Sequence, residues 1–440
     1  MSDARKAALT ALEKCRRQGA WSDAVLGSVM DEASLTGRDR GLAAALCYGV
    51  MQNRILLDHE IERFSTIKTG KIEPKVLDIL RISVYQLIFM ERIPDSAAVN
   101  EAVRLCKSLG FTRASGFVNA VLRKVASDSD ALLVTEGDRD MQLSIRYSHP
   151  LWLVKYLQAQ LGLEETERFL QCSNAPVPIT LQSNTLKCTS EQLLAALEKD
   201  GIKAEKHPYL PECLTVRAAG DIASLSAFKD GLFYVQDAAA KMAVIAAAPK
   251  AGTRIIDVCA APGGKSFAAA MLSGDSAQIT ACDLQENKLS RIRDGASRLG
   301  IANLQTMACD ARENRAEWNG VFDLVIADVP CSGLGVIRKK PDIRWKDPAL
   351  FDDLPEIQFD ILRNASRYVS PGGTLLYSTC TVRAEENGEV VSRFLSGNAD
   401  FAAEDFTAAD GTESTSGCLQ LWPQRNDTDG FFIAKLRKTK

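Results

Sequence analysis

Apolar residues recur at helical spacing through the first 125 positions. Leu9 and Leu12, then Val25, Leu26 and Val29, then Leu42, Leu46 and Val50, then Leu77, Leu80, Val84 and Leu87 each mark one stripe. One stripe per segment predicts amphipathic helices that bury those faces against each other. Gly110 is a C-terminal stop after Val99–Leu109. From Ser127 to Gly137 the pattern lapses into Ser and Asp, which reads as a linker. The next stretch mixes periods. Leu151–Gln160 and Glu164–Gln171 have helical spacing, Pro176 and Pro178 break it, and Ile179–Gln182, Leu214–Arg217 and Leu232–Val235 read as strands. Thr189 and Gln192 form a capping-box pattern for a helix that runs to Lys199 and stops at Gly201. From about residue 238, short apolar runs alternate with helical stretches, which predicts a mostly parallel sheet covered by helices. The expected organisation is an all-α domain over 1–140, a small α+β module over 145–237 and an α/β domain over 238–440.

The strand ends of the last domain carry the chemistry. Arg254–Val258 reads as a strand, followed by the turn Cys259-Ala260-Ala261-Pro262-Gly263-Gly264-Lys265 and the helix Ser266–Leu272. Small residues and glycine let the backbone approach a ligand, and a helix start presents free N–H groups. The dinucleotide pattern G-x-G-x-x-G is absent. The next strands, Gln278–Cys282, Leu304–Cys309 and Phe322–Ala327, are followed by Asp283, Asp310 and Asp328. One strand-end Asp is usually a cap or turn residue. Three of them beside a glycine turn indicate a nucleoside site, because ligands of open α/β sheets sit beyond the carboxyl ends of the strands. Two cysteines reach the same edge, Cys331 in Asp328–Gly333 and Cys380 in Tyr377–Thr381. A cysteine taken alone is usually a small buried hydrophobe. Two at one crevice point to covalent chemistry.

With these motifs the segment 254–380 resembles the S-adenosylmethionine-dependent RNA 5-cytosine methyltransferases of the NOL1/NOP2/sun family. The extension Leu334–Trp345 is most similar to the bacterial branch that acts on small-subunit ribosomal RNA. Asp39–Val50, Arg92–Val103 and Gly116–Arg123 resemble a NusB-type helical domain. The resemblance implies a Rossmann-like α/β methyltransferase domain with a mostly parallel sheet and an antiparallel edge strand, preceded by the all-α domain and the α+β module. It implies S-adenosyl-L-methionine as cofactor, held by Cys259–Lys265, Asp283, Asp310 and Asp328. It also implies a small-subunit ribosomal RNA substrate, free or in a partly assembled subunit. By family analogy Cys380 attacks C6 of cytosine, Cys331 assists breakdown of the adduct, and Asp328 holds the N3/N4 edge of the base. Lys265 either adds positive charge near that base or is simply solvated. DNA cytosine methyltransferases use a Pro-Cys thiol, which would move the attack to Cys331. The Thr-Cys thiol favours the RNA-type division of labour. Transfer RNA as substrate, and a non-catalytic RNA-binding or antitermination factor, are the competing functions.

Composition narrows the partners. In 440 residues there are twelve cysteines, no C-x-x-C and three histidines, His59, His149 and His207, far apart, so no metal site is expected. No run of 18 apolar residues occurs, and Met1–Arg5 lacks the apolar core of a signal peptide, so a cytoplasmic, membrane-free protein with free thiols is expected. A monomer is the expected state. A net charge of −3 argues against indiscriminate nucleic-acid binding. Distribution matters more than the sum. Arg338, Lys339, Lys340, Arg344 and Lys346 form a basic stretch after Cys331, with Trp345 inside it for stacking on a base. These read as RNA contacts, while the acids over 385–413 read as solvated surface.

Overall fold

The computed structural model describes residues 3–18, 22–128, 134, 137–217 and 220–440. Most of the stretch 127–137, read above as a linker, lies outside the described residues. The chain divides into two compact units, residues 1–175 with 337–346, and 176–336 with 347–440.

The first unit is helical. The predicted stripes lie on helices Asp3–Gln18, Ser22–Glu32, Gly37–Phe64, Pro74–Phe89, Asp95–Ser108 and Ser115–Ser127. Leu9, Leu12, Leu26, Val29, Leu46, Val50, Leu77, Leu80 and Val84 meet in one core. Helices Arg139–Tyr147, Leu151–Leu161 and Leu163–Cys172 group with this unit, although the sequence pattern begins the module at 145. Side-chain bonds explain the grouping: Asn174 Nδ2 donates to Tyr147 O at 2.7 Å, and Gln52 Nε2 donates to Asn174 O at 2.8 Å. The long helix Gly37–Phe64 is kinked at Asn53 (φ −111°, ψ 17°). There the Ile55 N–H, which would otherwise close a bond to the Met51 carbonyl, donates to Ser148 Oγ at 2.9 Å.

The second unit holds two sheets. The smaller contains β1 (Ile179–Ser183), β2 (Ala204–Lys206), β3 (Cys213–Val216) and β4 (Phe233–Val235), antiparallel in the order β2-β3-β1-β4. Its helix Ser190–Lys199 starts with the predicted Thr189/Gln192 capping box. The module is joined to the larger sheet's helices through Asn184, whose Nδ2 donates to both Gly231 O and Leu299 O at 2.8 Å.

The larger sheet contains β5 (Arg254–Asp257), β6 (Gln278–Asp283), β7 (Leu304–Ala308), β8 (Phe322–Asp328), β9 (Val369–Thr379), β10 (Phe401–Ala403), β11 (Cys418–Leu421) and β12 (Phe431–Lys438). The order is β10-β12-β9-β8-β5-β6-β7, with β11 also on β12; β5 to β9 are parallel and β12 runs antiparallel to β9. The short strands β10 and β11 also pair with β12. Ile255, Ile256, Val325, Ile326, Leu375 and Leu376 are fully buried, as apolar runs are in a sheet covered on both faces. Successive strands lead away from β5 in one direction through β6 and β7, and on the other side through β8 and β9. The carboxyl ends of β5 and β8 therefore flank the switch point where such sheets bind ligands. Among the described residues no helix is long and apolar enough to cross a membrane.

Candidate active site

At the end of β5, Asp257 is buried and its Oδ2 accepts from Ser266 Oγ at 2.8 Å. Burial raises its pKa to about 7. The turn after it is fixed by backbone bonds from Ala260 N to Cys282 O at 2.7 Å and from Gly263 N to Ala260 O at 2.6 Å. Gly263 has φ +110°, and a Cβ there would stand 2.5 Å from the Phe267 ring, so the position demands glycine twice over. The helix starts at Gly264, which puts Lys265 in its first turn. Lys265 is buried, with Nζ 2.6 Å from Asp328 Oδ2 and 5.0 Å over the Phe431 ring. The alternative of a solvated lysine is thereby removed. The second oxygen of Asp328 accepts from Ser378 Oγ at 2.8 Å, across the register pair of β8 and β9.

The two thiols meet beside this ion pair. Val329 N donates to Ser378 O at 3.1 Å, and Gly335 N donates to Cys380 O at 3.0 Å, so the turns after β8 and β9 are bonded along their length. Cys331 Sγ and Cys380 Sγ are 3.1 Å apart. At Gly335 a Cβ would fall 1.8 Å from Gly430 O and 2.8 Å from Cys380 O. The close approach that brings the thiols together therefore exists only with glycine there. Contact with Cys380, burial and nearby carboxylates push the Cys331 thiol well up. Two sulfurs in contact favour one proton held between them, because two adjacent thiolates repel.

Asp283 and Asp310 stand at the ends of β6 and β7. Asp283 is largely buried, and its carboxylate accepts from Ala261 N at 3.3 Å and Gln285 N at 3.2 Å. It thus props the glycine turn, with lone pairs remaining for a ligand. Asp310 is clasped by Arg312, through Nε at 3.0 Å and Nη2 at 2.6 Å, which lowers its pKa. The methyl donor that the resemblance implies fits these residues. A backbone turn without bulky side chains, a helix start and strand-end carboxylates suit a nucleoside carrying a cationic sulfur.

Residues 244–437 match the 16S rRNA methyltransferase RsmB/F family, residues 2–127 the NusB family, and residues 149–223 the ferredoxin-like domain of RsmF/B-like methyltransferases. A Bacillus subtilis protein described as a probable ribosomal RNA small subunit methyltransferase B is 36% identical over 441 residues, covering 99% of this chain and 98% of the relative. This chain belongs to the ribosomal RNA small subunit methyltransferase B family. A family member from Klebsiella pneumoniae strain 342 is 33% identical over 443 residues, covering 99% of this chain and 98% of its own. The solved structure of PH0851 aligns with a TM-score of 0.84 at 26% identity, over 100% of this chain and 99% of its own. The RsmB/F match spans the strands and turns that carry the cysteines, Lys265 and the four acids.

The basic stretch behaves differently from its sequence reading. Residues 337–346 pack into the helical unit. Arg344 is completely buried, with Nη1 donating to Gln52 O, Ser148 O and Asn174 Oδ1 and Nη2 to Ser173 O. Trp345 Nε1 donates at 2.7 Å to the Met51 carbonyl left open by the kink, and Arg54 lies 5.2 Å over its ring. Arg344 is therefore structural, its guanidinium committed to acceptors near the kink, after Tyr147 and after Cys172, while Trp345 is half-buried with its indole N–H held by the Met51 carbonyl. Arg338 and Lys339 are half-buried and Lys340 is exposed. The reading of 385–413 as solvated acid also fails at one position, since Glu386 is 0% exposed. It and Gln358, which donates to it at 2.9 Å, were missed because neither is an unusual residue for a helix or turn.

Proposed function

We propose that this chain transfers a methyl group from S-adenosylmethionine to C5 of a cytosine in small-subunit ribosomal RNA through a covalent adduct of Cys380. The observation that carries this reading is the 3.1 Å thiol pair standing beside the ion pair of buried Lys265 with half-buried Asp328. C5 of cytosine is a poor nucleophile. Addition of the Cys380 thiolate to C6 makes C5 enamine-like, so it can take the electrophilic methyl group that the bound cofactor supplies. The C5 proton then leaves to a base, and the C6–S bond breaks to return the thiolate. Asp328, with Lys265 on one oxygen and Ser378 on the other, is set to hold the N3/N4 edge as the ring loses aromaticity. We assign Cys331 to the elimination. The names of the B-family relatives support ribosomal RNA as the substrate class. The deciding experiment is transfer of labelled methyl to ribosomal RNA, with 5-methylcytosine mapped in cells with and without the protein. Label at another base, or on transfer RNA alone, rejects the reading.

Two consequences follow from the crevice. Asp283→Ala should weaken cofactor binding by about 1.5–3 kcal/mol, the worth of charge-assisted hydrogen bonds. Calorimetry on the folded variant checks it, and an unchanged affinity removes Asp283 from the ribose. On the RNA side, replacing Arg338, Lys339 and Lys340 together should lower affinity and flatten its salt dependence, since each phosphate contact adds about one unit of slope. An unaltered slope means that these side chains do not meet phosphate. The target base itself must be single-stranded or flipped out, at a cost of a few kcal/mol, before C6 is open to a thiol.

A further inference from the structure

Cys331 hangs from a carboxylate that is wholly buried. Glu386 closes the 3-10 turn Ala384–Glu386 and is 0% exposed. Its Oε2 accepts from Ser332 N at 2.8 Å and from Gln358 Nε2 at 2.9 Å. Gln358 Nε2 also donates to Pro330 O at 2.9 Å. The residues before and after Cys331 are thus tied to one carboxylate and its amide partner. Oε1 lies 3.5 Å from Arg383 Nη1 and takes no hydrogen bond among the described residues. Arg383 is shared, because it also donates to Phe351 O at 3.2 Å and stands 3.7 Å from Glu385. Both of these hydrogen bonds to Oε2 come from N–H donors, and the Arg383 guanidinium is the nearby counter-charge.

A carboxylate tied to the backbone on both sides of Cys331 bears on that sulfur first, and a negative charge there penalises its thiolate. Cys331 touches Cys380, and the charged and titratable groups that act on it are Glu386, the Lys265-paired Asp328 and the buried Tyr377, whose hydroxyl donates to Glu386 O at 2.6 Å. We propose that Glu386 is a positioning residue that assigns the proton of the thiol pair: Cys331 keeps its S–H and donates it to Cys380, which is the thiolate. The proton given up by Cys380 passes to solvent, and no heavy-atom bond changes. The upward push on the Cys331 thiol agrees with this direction. The assignment rests on the covalent reading above, where Cys380 attacks. It adds the reason that two similar thiols take different roles.

The test uses the full-length protein without RNA or cofactor. Brief iodoacetamide pulses at about pH 6 to 10 are followed by mass spectrometry of the Cys331 and Cys380 peptides, since only thiolates react. In the unaltered protein Cys380 should be labelled at lower pH than Cys331; the reverse order overturns the proposal. Glu386→Gln should bring the Cys331 profile down by about one pH unit, moving the label ratio about tenfold toward Cys331. Glu386→Asp, which keeps the charge, should restore the original order. A Glu386→Gln protein with native hydrogen exchange and an unchanged ratio also overturns it. Should Glu386→Gln not fold, Arg383→Met provides the opposite sign. Removing the counter-charge should widen the gap between the two profiles, and a narrower gap overturns the proposal. Labelling needs no RNA, so it can fail while the Cys380 adduct chemistry stands, or hold while that chemistry fails.

Discussion

Cys380→Ala is expected to yield neither methylated RNA nor a covalent RNA complex, with turnover lowered by several orders of magnitude, as when a covalent nucleophile is removed. Cys331→Ala is expected to give the opposite intermediate. Attack and methylation proceed, release slows, and a protein–RNA adduct that survives denaturing electrophoresis accumulates. The two outcomes differ because addition and elimination are separate steps, and blocking the later one lets the intermediate build up. The geometry allows either sulfur to reach a shared point, since they are 3.1 Å apart. Position alone therefore does not choose the nucleophile, and the pair of variants does. An adduct in Cys380→Ala with none in Cys331→Ala transfers the attack to Cys331. Full activity in both variants abolishes the covalent mechanism. Asp328 should matter to both steps, because its carboxylate is held by Lys265 and Ser378 in the geometry a base edge would need.

The strand ends that carry the candidate residues were legible in the sequence, and the reason is periodicity. Strand-end residues in a parallel sheet converge on one edge whatever lies between them, so Cys331, Cys380, Asp283, Asp310 and Asp328 could be gathered from the alternation of strand and helix alone. The capping box at Thr189 and the stop at Gly110 were equally local, and the structure has both, with Gly110 at φ +86°. What stayed hidden depends on contacts distant in sequence. Arg344 and Lys340 look alike within a basic stretch, yet one is buried and the other exposed. Nothing local says that the Met51 carbonyl, beside the kink at Asn53, will be taken by Trp345, 294 positions further along the chain. Glu386 was hidden for the same reason. It sits in an acidic turn beside Glu385, which is only half-buried, and its partners Ser332 and Gln358 come from other parts of the chain. The composition of a stretch predicts its average exposure, and the informative residue was the exception to that average.

That exception gives the second large expected effect. Arg344→Ala should destabilise the helical unit by about 3–5 kcal/mol, through a cavity and unpaired carbonyls together. The guanidinium fork reaches Gln52 O at 3.1 Å, Ser148 O at 3.2 Å, Asn174 Oδ1 at 3.1 Å and Ser173 O at 3.4 Å. No carboxylate stands among these partners, and burial draws the Arg344 pKa down to about 9, which still leaves it cationic at neutral pH. Its worth therefore lies in satisfying acceptors from three places at once, around the kink, after Tyr147 and after Cys172. Arg344→Met separates the contributions: it refills most of the volume, so the remaining loss measures the hydrogen bonds. Lys340→Ala, at an exposed position of the same stretch, should change stability by less than about 0.5 kcal/mol. Because the chain has two compact units, a single melting curve does not isolate the effect, and amide hydrogen exchange read by segment does. Protection should fall across residues 50–56 and 144–149 in Arg344→Ala and stay unchanged in the β5 and β8 segments. Undiminished protection near the kink would mean that Arg344 fills space without holding the helices.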